Sequence, residues 1–330
     1  MNGRWVEPEI RDEIVNYLTY LQGRSTFQMI VLLDHIGLNR KKFYQWRKRY
    51  GKPNNHNGKI PKEHWLMPEE VKAITTYAQK HFAESDYFLK DGYRRMTYDM
   101  MDRNVAIAAP STVYRILKRN GLLNQWNTVK RKGKGKGFHQ PDAPHRHWHT
   151  DIKYLNYCGT FFFLISVLDG YSRYVLHHEV RTHMGQYDVQ LIIQKTKEKY
   201  PDAKPRLITD NGPQFIAKEF KKFIQNLEIT HVKTSVAYPQ SNGKIERFHR
   251  TISEECLRTE SHLSLDDLRS SVSRYIKHYN SCRLHGSLNY LTPEDYLLGR
   301  KDARLDERED KMIVAELKRA QYWANIEHAA

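Results

Sequence analysis

Arg206-Leu207-Ile208-Thr209-Asp210-Asn211-Gly212-Pro213 and, further along, Gln240-Ser241-Asn242-Gly243-Lys244-Ile245-Glu246-Arg247-Phe248 are the stretches whose reading decides the fold. The first is a short buried-strand pattern closed by a turn, with proline at the first helical position, where its missing N–H costs nothing. Asp210 therefore stands at the C-terminal end of a strand and faces a crevice. The second is loop composition opening a helix to about Arg258, with Ser241 as a cap. In it Ile245, Phe248, Ile252 and Cys256 form one apolar stripe. Glu246 lies about 100° round from Ile245 and shares a face with Arg250, so it can point back at a sheet. Upstream, Trp148-His149-Thr150-Asp151 is strand-like. Alternation sets His149, Asp151, Lys153 and Leu155 on one face and Trp148, Thr150, Ile152 and Tyr154 on the other. Three acids from three elements point to a metal site, since hard divalent cations take oxygen ligands. Two ions about 3.5–4 Å apart can share one carboxylate and clamp the attacking and leaving oxygens of an in-line phosphoryl displacement. Asp151 is the bridge in that reading.

Trp148-His149-Thr150-Asp151, Thr209-Asp210-Asn211-Gly212-Pro213-Gln214-Phe215 and the Tyr238 to Phe248 run resemble the catalytic blocks of insertion-sequence transposases with a retroviral-integrase-type core. The gap between the second and third acids is 246 − 210 − 1 = 35 residues, the spacing of that family. The likeness is close from Arg146 to Gly299 and looser before it. It implies an α/β RNase H-like core with a five-stranded mixed sheet. It also implies catalytic, metal-binding Asp151, Asp210 and Glu246, and two Mg²⁺ or Mn²⁺ ions per site. Lys153 departs from the family, which often has a threonine there; it either contacts phosphate or covers the strand edge.

The formal charge of +16 over 330 residues is unevenly spread. Residues 1–140 carry 26 Lys+Arg against 13 Asp+Glu, so 26 − 13 = +13, and 141–330 carry 28 against 25, so 28 − 25 = +3. The basic half is expected to meet a polyanion, and nucleic acid fits better than a membrane, for which no basic amphipathic helix or lipidation signal is present. The opening residues lack an apolar signal-peptide core and no run is long enough to span a bilayer, so a cytoplasmic, nucleoid-associated protein is expected. Three scattered cysteines (Cys158, Cys256, Cys282) support neither a disulfide framework nor a zinc motif.

The expected organisation is multidomain, with all-α helix-turn-helix modules ahead of the core. A first helix-turn-helix domain spans 1–52, a linker 53–67, a second helix-turn-helix domain 68–125, a basic Gly/Lys linker 126–144, the core 145–299 and a helical tail 300–330. In the first module helices are expected over Glu9–Leu21 and Thr26–His35. A third starts at Asn39, with Phe43 and Trp46 buried and Arg40, Lys41, Tyr44, Gln45 and Arg47 facing outward to DNA. In the second, Thr112, Arg115, Lys118 and Arg119 take the outward role, although a spacer set of helices has the same pattern. Lys130, Arg131, Lys132, Lys134 and Lys136, separated by glycines, either lie along phosphates or serve as a flexible link. Lys244 and Arg247, beside Glu246, are expected to hold the DNA backbone.

Within the core a hairpin is expected from Phe161–Leu168 to Tyr171–Val180 across Asp169-Gly170, and helices over Tyr187–Lys199, Pro213–Asn226 and Leu265–Asn280. Further strands are expected over Arg206–Thr209 and Ile229–Thr234. Asp-Gly is turn chemistry, so Asp169 is read as structural. His145, His147 and His149 are read as a chain entering a strand rather than a zinc site. Arg283 and His285 either contact phosphates or sit in a loop packed by Leu284 and Leu288. The tail beyond Lys301 either docks on a second subunit or frays. The expected activity is DNA transposition on double-stranded transposon-end inverted repeats and target DNA, by at least a dimer. The rivals are a two-module repressor with an inactive core and a structure-specific metal-dependent nuclease.

Overall fold

A computed structural model describes residues 6–52, 62–84, 92–123, 140–157, 159–233 and 242–327. The Lys130 to Lys136 run and Ser241, both singled out above, lie outside the described residues. The chain forms two compact units, Met1–Trp65 with Trp323–Ala330, and Leu66–Tyr322.

In the first unit α1 (Pro8–Arg24), α2 (Met29–His35) and α3 (Arg40–Lys48) enclose Val15, Leu18, Leu33 and Phe43. Asn39 caps α3 by accepting from the Lys41 amide at 2.8 Å. Arg11, fully buried, donates at 2.8 Å to the carbonyls of both Arg49 and Lys52, so its charge sits on the negative end of α3. Arg40, Lys41, Tyr44, Gln45 and Arg47 are exposed.

The second unit begins with α4 (Pro68–Glu84), α5 (Tyr93–Asp102) and α6 (Pro110–Arg119), packed on Ile74, Ala78, Met96, Met100, Val113 and Leu117. The sheet follows: β1 (His147–Tyr157), β2 (Thr160–Asp169), β3 (Val175–Arg181), β4 (Arg206–Thr209) and β5 (Thr230–Lys233), in the order β3-β2-β1-β4-β5. The first three pair antiparallel, while β4 and β5 run parallel to β1, giving the expected five-stranded mixed sheet. Period-two alternation splits the core in two. Trp148, Ile165, Val167 and Leu207 meet α7 (Gln186–Lys199), α8 (Pro213–Ile216) and α9 (Lys218–Asn226) on one face. On the other, Leu155, Leu164 and Leu168 meet α10 (Gly243–Ile252) and α11 (Leu265–Ser281). A short helix α12 (Pro293–Leu297) and the long α13 (Lys301–Glu327) complete the chain.

Four expectations are corrected. The strand expected from Tyr171 begins at Val175, because Asp169 organises a longer turn: its carboxylate accepts from the amides of His145, Tyr171 and Ser172 and from the Ser172 hydroxyl. The helix expected over Pro213–Asn226 breaks at Ala217, whose ψ of 145° is extended. The helix expected to reach Arg258 ends at Ile252 and continues as a π-helical turn, Ser253–Leu257. There the Thr251 and Ser253 hydroxyls bond carbonyls four residues back and compete with the regular ladder. The tail does not fray: Arg308 of α13 donates to both Asp102 oxygens, at 2.8 and 2.7 Å, and to the Asn289 and Tyr290 carbonyls, while Arg319 pairs with Glu70 at 2.7 Å.

Arg308 is 6% exposed, and its loss leaves the Asp102 carboxylate with Arg304 alone, at 3.4 Å. Arg308→Ala is therefore expected to destabilise the full chain by about 1–3 kcal/mol in urea unfolding followed by circular dichroism; a change below about 0.5 kcal/mol would show that Arg308 contributes little to this unit.

Candidate active site

Parallel pairing of β1 with β4 joins His149 to Ile208. Asp151 and Asp210 each lie two residues beyond that pair, so they fall at one level and on one face of neighbouring strands, which are about 4.8 Å apart. Both carboxylates are half-buried. Asp151 accepts from the Ile152 amide at 2.9 Å, and Asp210 from the Gly212 amide at 3.0 Å, fixing the turn that Pro213 continues into α8.

Helix α10 crosses the same face. Ile245, Phe248 and Ile252 are its buried stripe, as the spacing requires, and Glu246, Arg247 and Arg250 are exposed. What fixes the helix on the sheet is His249, 7% exposed. Its Nδ1 lies 3.4 Å from Asp151 Oδ2 and its Nε2 lies 3.2 Å from the hydroxyl of Ser166, the residue opposite Asp151 on β2. Glu246 stands one helical turn before His249. Sequence reasoning missed His249, yet its i+3 relation to Glu246 puts it on the edge of α10 that faces the sheet.

Asp151 and Asp210 are thus brought side by side. Among the described residues, no three Asp, Glu, His or Cys side chains close around one point. The donors nonetheless suit a hard divalent cation: two carboxylates on adjacent strands, with the solvent-facing Glu246 carboxylate on the helix that crosses them. His149 fits the strand-entry reading. It is 1% exposed, and burial, followed by the charges of Lys244 and Arg173, depresses it to about 3. Gly170 is required beside it, since a Cβ there would come within 3.0 Å of the imidazole and of His147 Cβ.

Several expected DNA contacts are placed differently. Lys244 turns inward and donates to the Gly170 carbonyl at 2.7 Å; burial, then the neighbouring Arg173 charge, lowers it to about 7. Thr112 is half-buried rather than outward, whereas Arg115 is exposed as expected, with contacts to the Ser111 carbonyl and the Thr112 hydroxyl. Lys118 and Arg119 are exposed as expected. Lys153 is half-buried, lowered by burial and by Arg258. Arg283 fits the packed-loop reading, with Leu284 and Leu288 buried: it forms a buried fork on Glu255 at 2.6 and 2.7 Å, and Tyr275 donates to the same carboxylate at 2.7 Å.

Residues 141–239 and 227–293 match two family descriptions, each given as Integrase core domain. A putative integrase, ORF3, of Spiroplasma virus SpV1-C74 is 36% identical over 104 residues, 28% of this chain and 29% of that protein. The putative transposase InsK of insertion sequence IS150 from Escherichia coli K12 is 25% identical over 154 residues, 46% of this chain and 54% of that one. The chain therefore spans between about a third and about half of these two relatives. The magnesium complex of the HTLV-2 integrase catalytic core, in its dimeric form, is 18% identical, covering 47% of this chain and 98% of that one with a TM-score of 0.38. No helix among the described residues is long and apolar enough to cross a membrane.

Replacing His249 by phenylalanine keeps ring volume but leaves Ser166 and Asp151 without that partner. It is expected to cost about 1–3 kcal/mol in denaturant unfolding, with most of the loss shared with Ser166→Ala in a double-mutant cycle. Strict additivity would mean that the two side chains do not interact.

Proposed function

We propose, from the premise that this chain carries an integrase-type core of the insertion-sequence transposase kind, that it is a DNA transposase acting on the terminal inverted repeats of its own element. The observation that carries the proposal is the level pairing of Asp151 with Asp210 on adjacent strands, beneath a helix that His249 ties to Asp151 and that presents Glu246.

Asp151, Asp210 and Glu246 would hold two Mg²⁺ or Mn²⁺ ions, which when bound supply Lewis-acid stabilisation of a phosphoryl group and an activated water. The chain's own part is placement. Exposed bases on α3 hold the duplex by its phosphates and can enter a major groove. The β1 and β4 carboxylates fix where the scissile phosphodiester must lie, and His249 keeps Asp151 from swinging away from Asp210. Two in-line exchanges follow at phosphorus. In the first, water forms a P–O bond as the strand's P–O3′ bond breaks, freeing a 3′-hydroxyl at the element's end. In the second, that hydroxyl forms a P–O bond to a target strand as another P–O3′ bond breaks. Neither needs ATP or a covalent protein intermediate. Holding two ends requires at least a dimer on DNA, in the cytoplasm of a bacterial host.

Incubation of the full chain with labelled end-containing duplex, a target plasmid and Mg²⁺ tests this. The expected result is 3′-end cleavage followed by strand transfer; cleavage without transfer would make it a nuclease, and binding without either a repressor. Glu246→Gln is expected to bind ends with unchanged affinity and to lose transfer by at least about a hundredfold. Retained transfer would remove Glu246 from the chemistry.

A further inference from the structure

Between α5 and α10 lies an open pocket of about 620 Å³. Four arginines line it, Arg94 and Arg95 from α5, Arg247 from α10 and Arg283 from the loop after α11, together with His285, and no carboxylate does. Glu255, outside the lining, is already occupied by the Arg283 fork and by Tyr275, with Arg95 at 4.0 Å. Among the lining side chains, four positive charges thus face no negative one. The surplus is felt locally: burial, then the charge of Arg283, lowers Arg95 to about 10, and burial followed by Arg283, Arg173, Arg95 and Arg247 lowers His285 to about 3.

The arginines divide into two kinds. Arg95 and Arg283 are tied to Glu255 and belong to the packing of the unit. Arg94 and Arg247 are exposed. Arg94 is steadied by the phenol of Tyr93 at 3.2 Å, and the Arg247 guanidinium has no hydrogen-bond or ion-pair partner among the described residues. Two exposed guanidiniums at a pocket lined by no carboxylate call for an anion from outside. A phosphodiester suits it, because guanidinium groups pair with phosphate oxygens in a fork. Arg247 also follows Glu246 directly on α10, so the pocket opens beside the proposed catalytic carboxylate.

We propose that this pocket is a phosphate cradle for the DNA strand entering the active site, with Arg94 from the second helical module and Arg247 from the core gripping the backbone together. The module thus takes part through α5, a helix its sequence did not single out. The cradle rests on the reading of the chain as a DNA-processing enzyme.

The test is equilibrium binding of the full chain to end-containing duplex without divalent metal, across roughly 50–200 mM salt, for wild type and the Arg94→Ala/Arg247→Ala double variant. Both side chains are exposed and neither is paired with an acid, so the variant is expected to keep the wild-type circular dichroism. Its slope of log affinity against log salt should fall by about 1–2, and its affinity at the higher salt by about tenfold or more. Methylphosphonates placed singly along the strand locate the contact: a position that weakens wild type should no longer weaken the variant. Equal slopes with an unchanged methylphosphonate profile would overturn the cradle while leaving the transposase reading in place. Binding that shows the predicted loss, in a wild type that never performs transfer, would do the reverse. A wild type that binds no DNA overturns both. A melting shift with inorganic phosphate that the variant lacks, alongside unchanged DNA binding, would make the pocket a small-anion site and overturn the strand assignment.

Discussion

Parallel pairing of β1 with β4 is the constraint on which the site depends. It cannot be made by a hairpin, so α7 must cross over between the paired strands, and that crossover supplies the core of one face. Once the register joins His149 to Ile208, Asp151 and Asp210 fall level by counting alone. A slip of one residue would turn Asp210 to the opposite face, against Phe215 and Phe220. Trp148 and Leu207, both fully buried on that face, hold the register. The chemistry of one face is thus secured by the packing of the other.

The third acid is held differently. Glu246 rides on a helix whose apolar stripe gives it a direction but leaves it free to slide over a greasy surface, and the His249 contacts with Asp151 and Ser166 supply the polar lock. Downstream, the π-helical turn swings Glu255 inward to Arg283 and Tyr275, tying α10 to α11. Positive charge is handled in two ways. Arg11, Arg308 and Arg319 are buried and hydrogen-bonded, serving as struts, whereas Arg94 and Arg247 stand exposed at a pocket that no carboxylate lines.

Much of this was legible in the sequence, and the boundary of legibility is physical. Strand alternation located Asp151, the Asn-Gly-Pro turn located Asp210, and the Ile245-Phe248-Ile252 stripe oriented Glu246, because each depends on neighbours within a few residues. Asp-Gly correctly marked Asp169 as turn chemistry, though not the four hydrogen bonds that lengthen the turn to Val175. Lys244 read as a DNA contact because its acceptor, the Gly170 carbonyl, is 74 residues away. The Arg308–Asp102 strut spans 206 residues and leaves no local trace, so the helical tail was read as docking on a second subunit or fraying rather than as bound within its own chain. The arginine pocket was invisible for the same reason: its charges come from three separate elements, and only folding brings them to one pocket that no carboxylate lines.

The central claim is that Asp151, Asp210 and Glu246 hold a common divalent ion. It is tested most directly by diffraction from crystals grown with Mn²⁺, using the metal's anomalous signal. The account predicts a peak roughly 2.1 Å from carboxylate oxygens of Asp151 and Asp210, with Glu246 turned in to join them. A saturating Mn²⁺ concentration that leaves no peak between these strands, or places it on other residues, would contradict it.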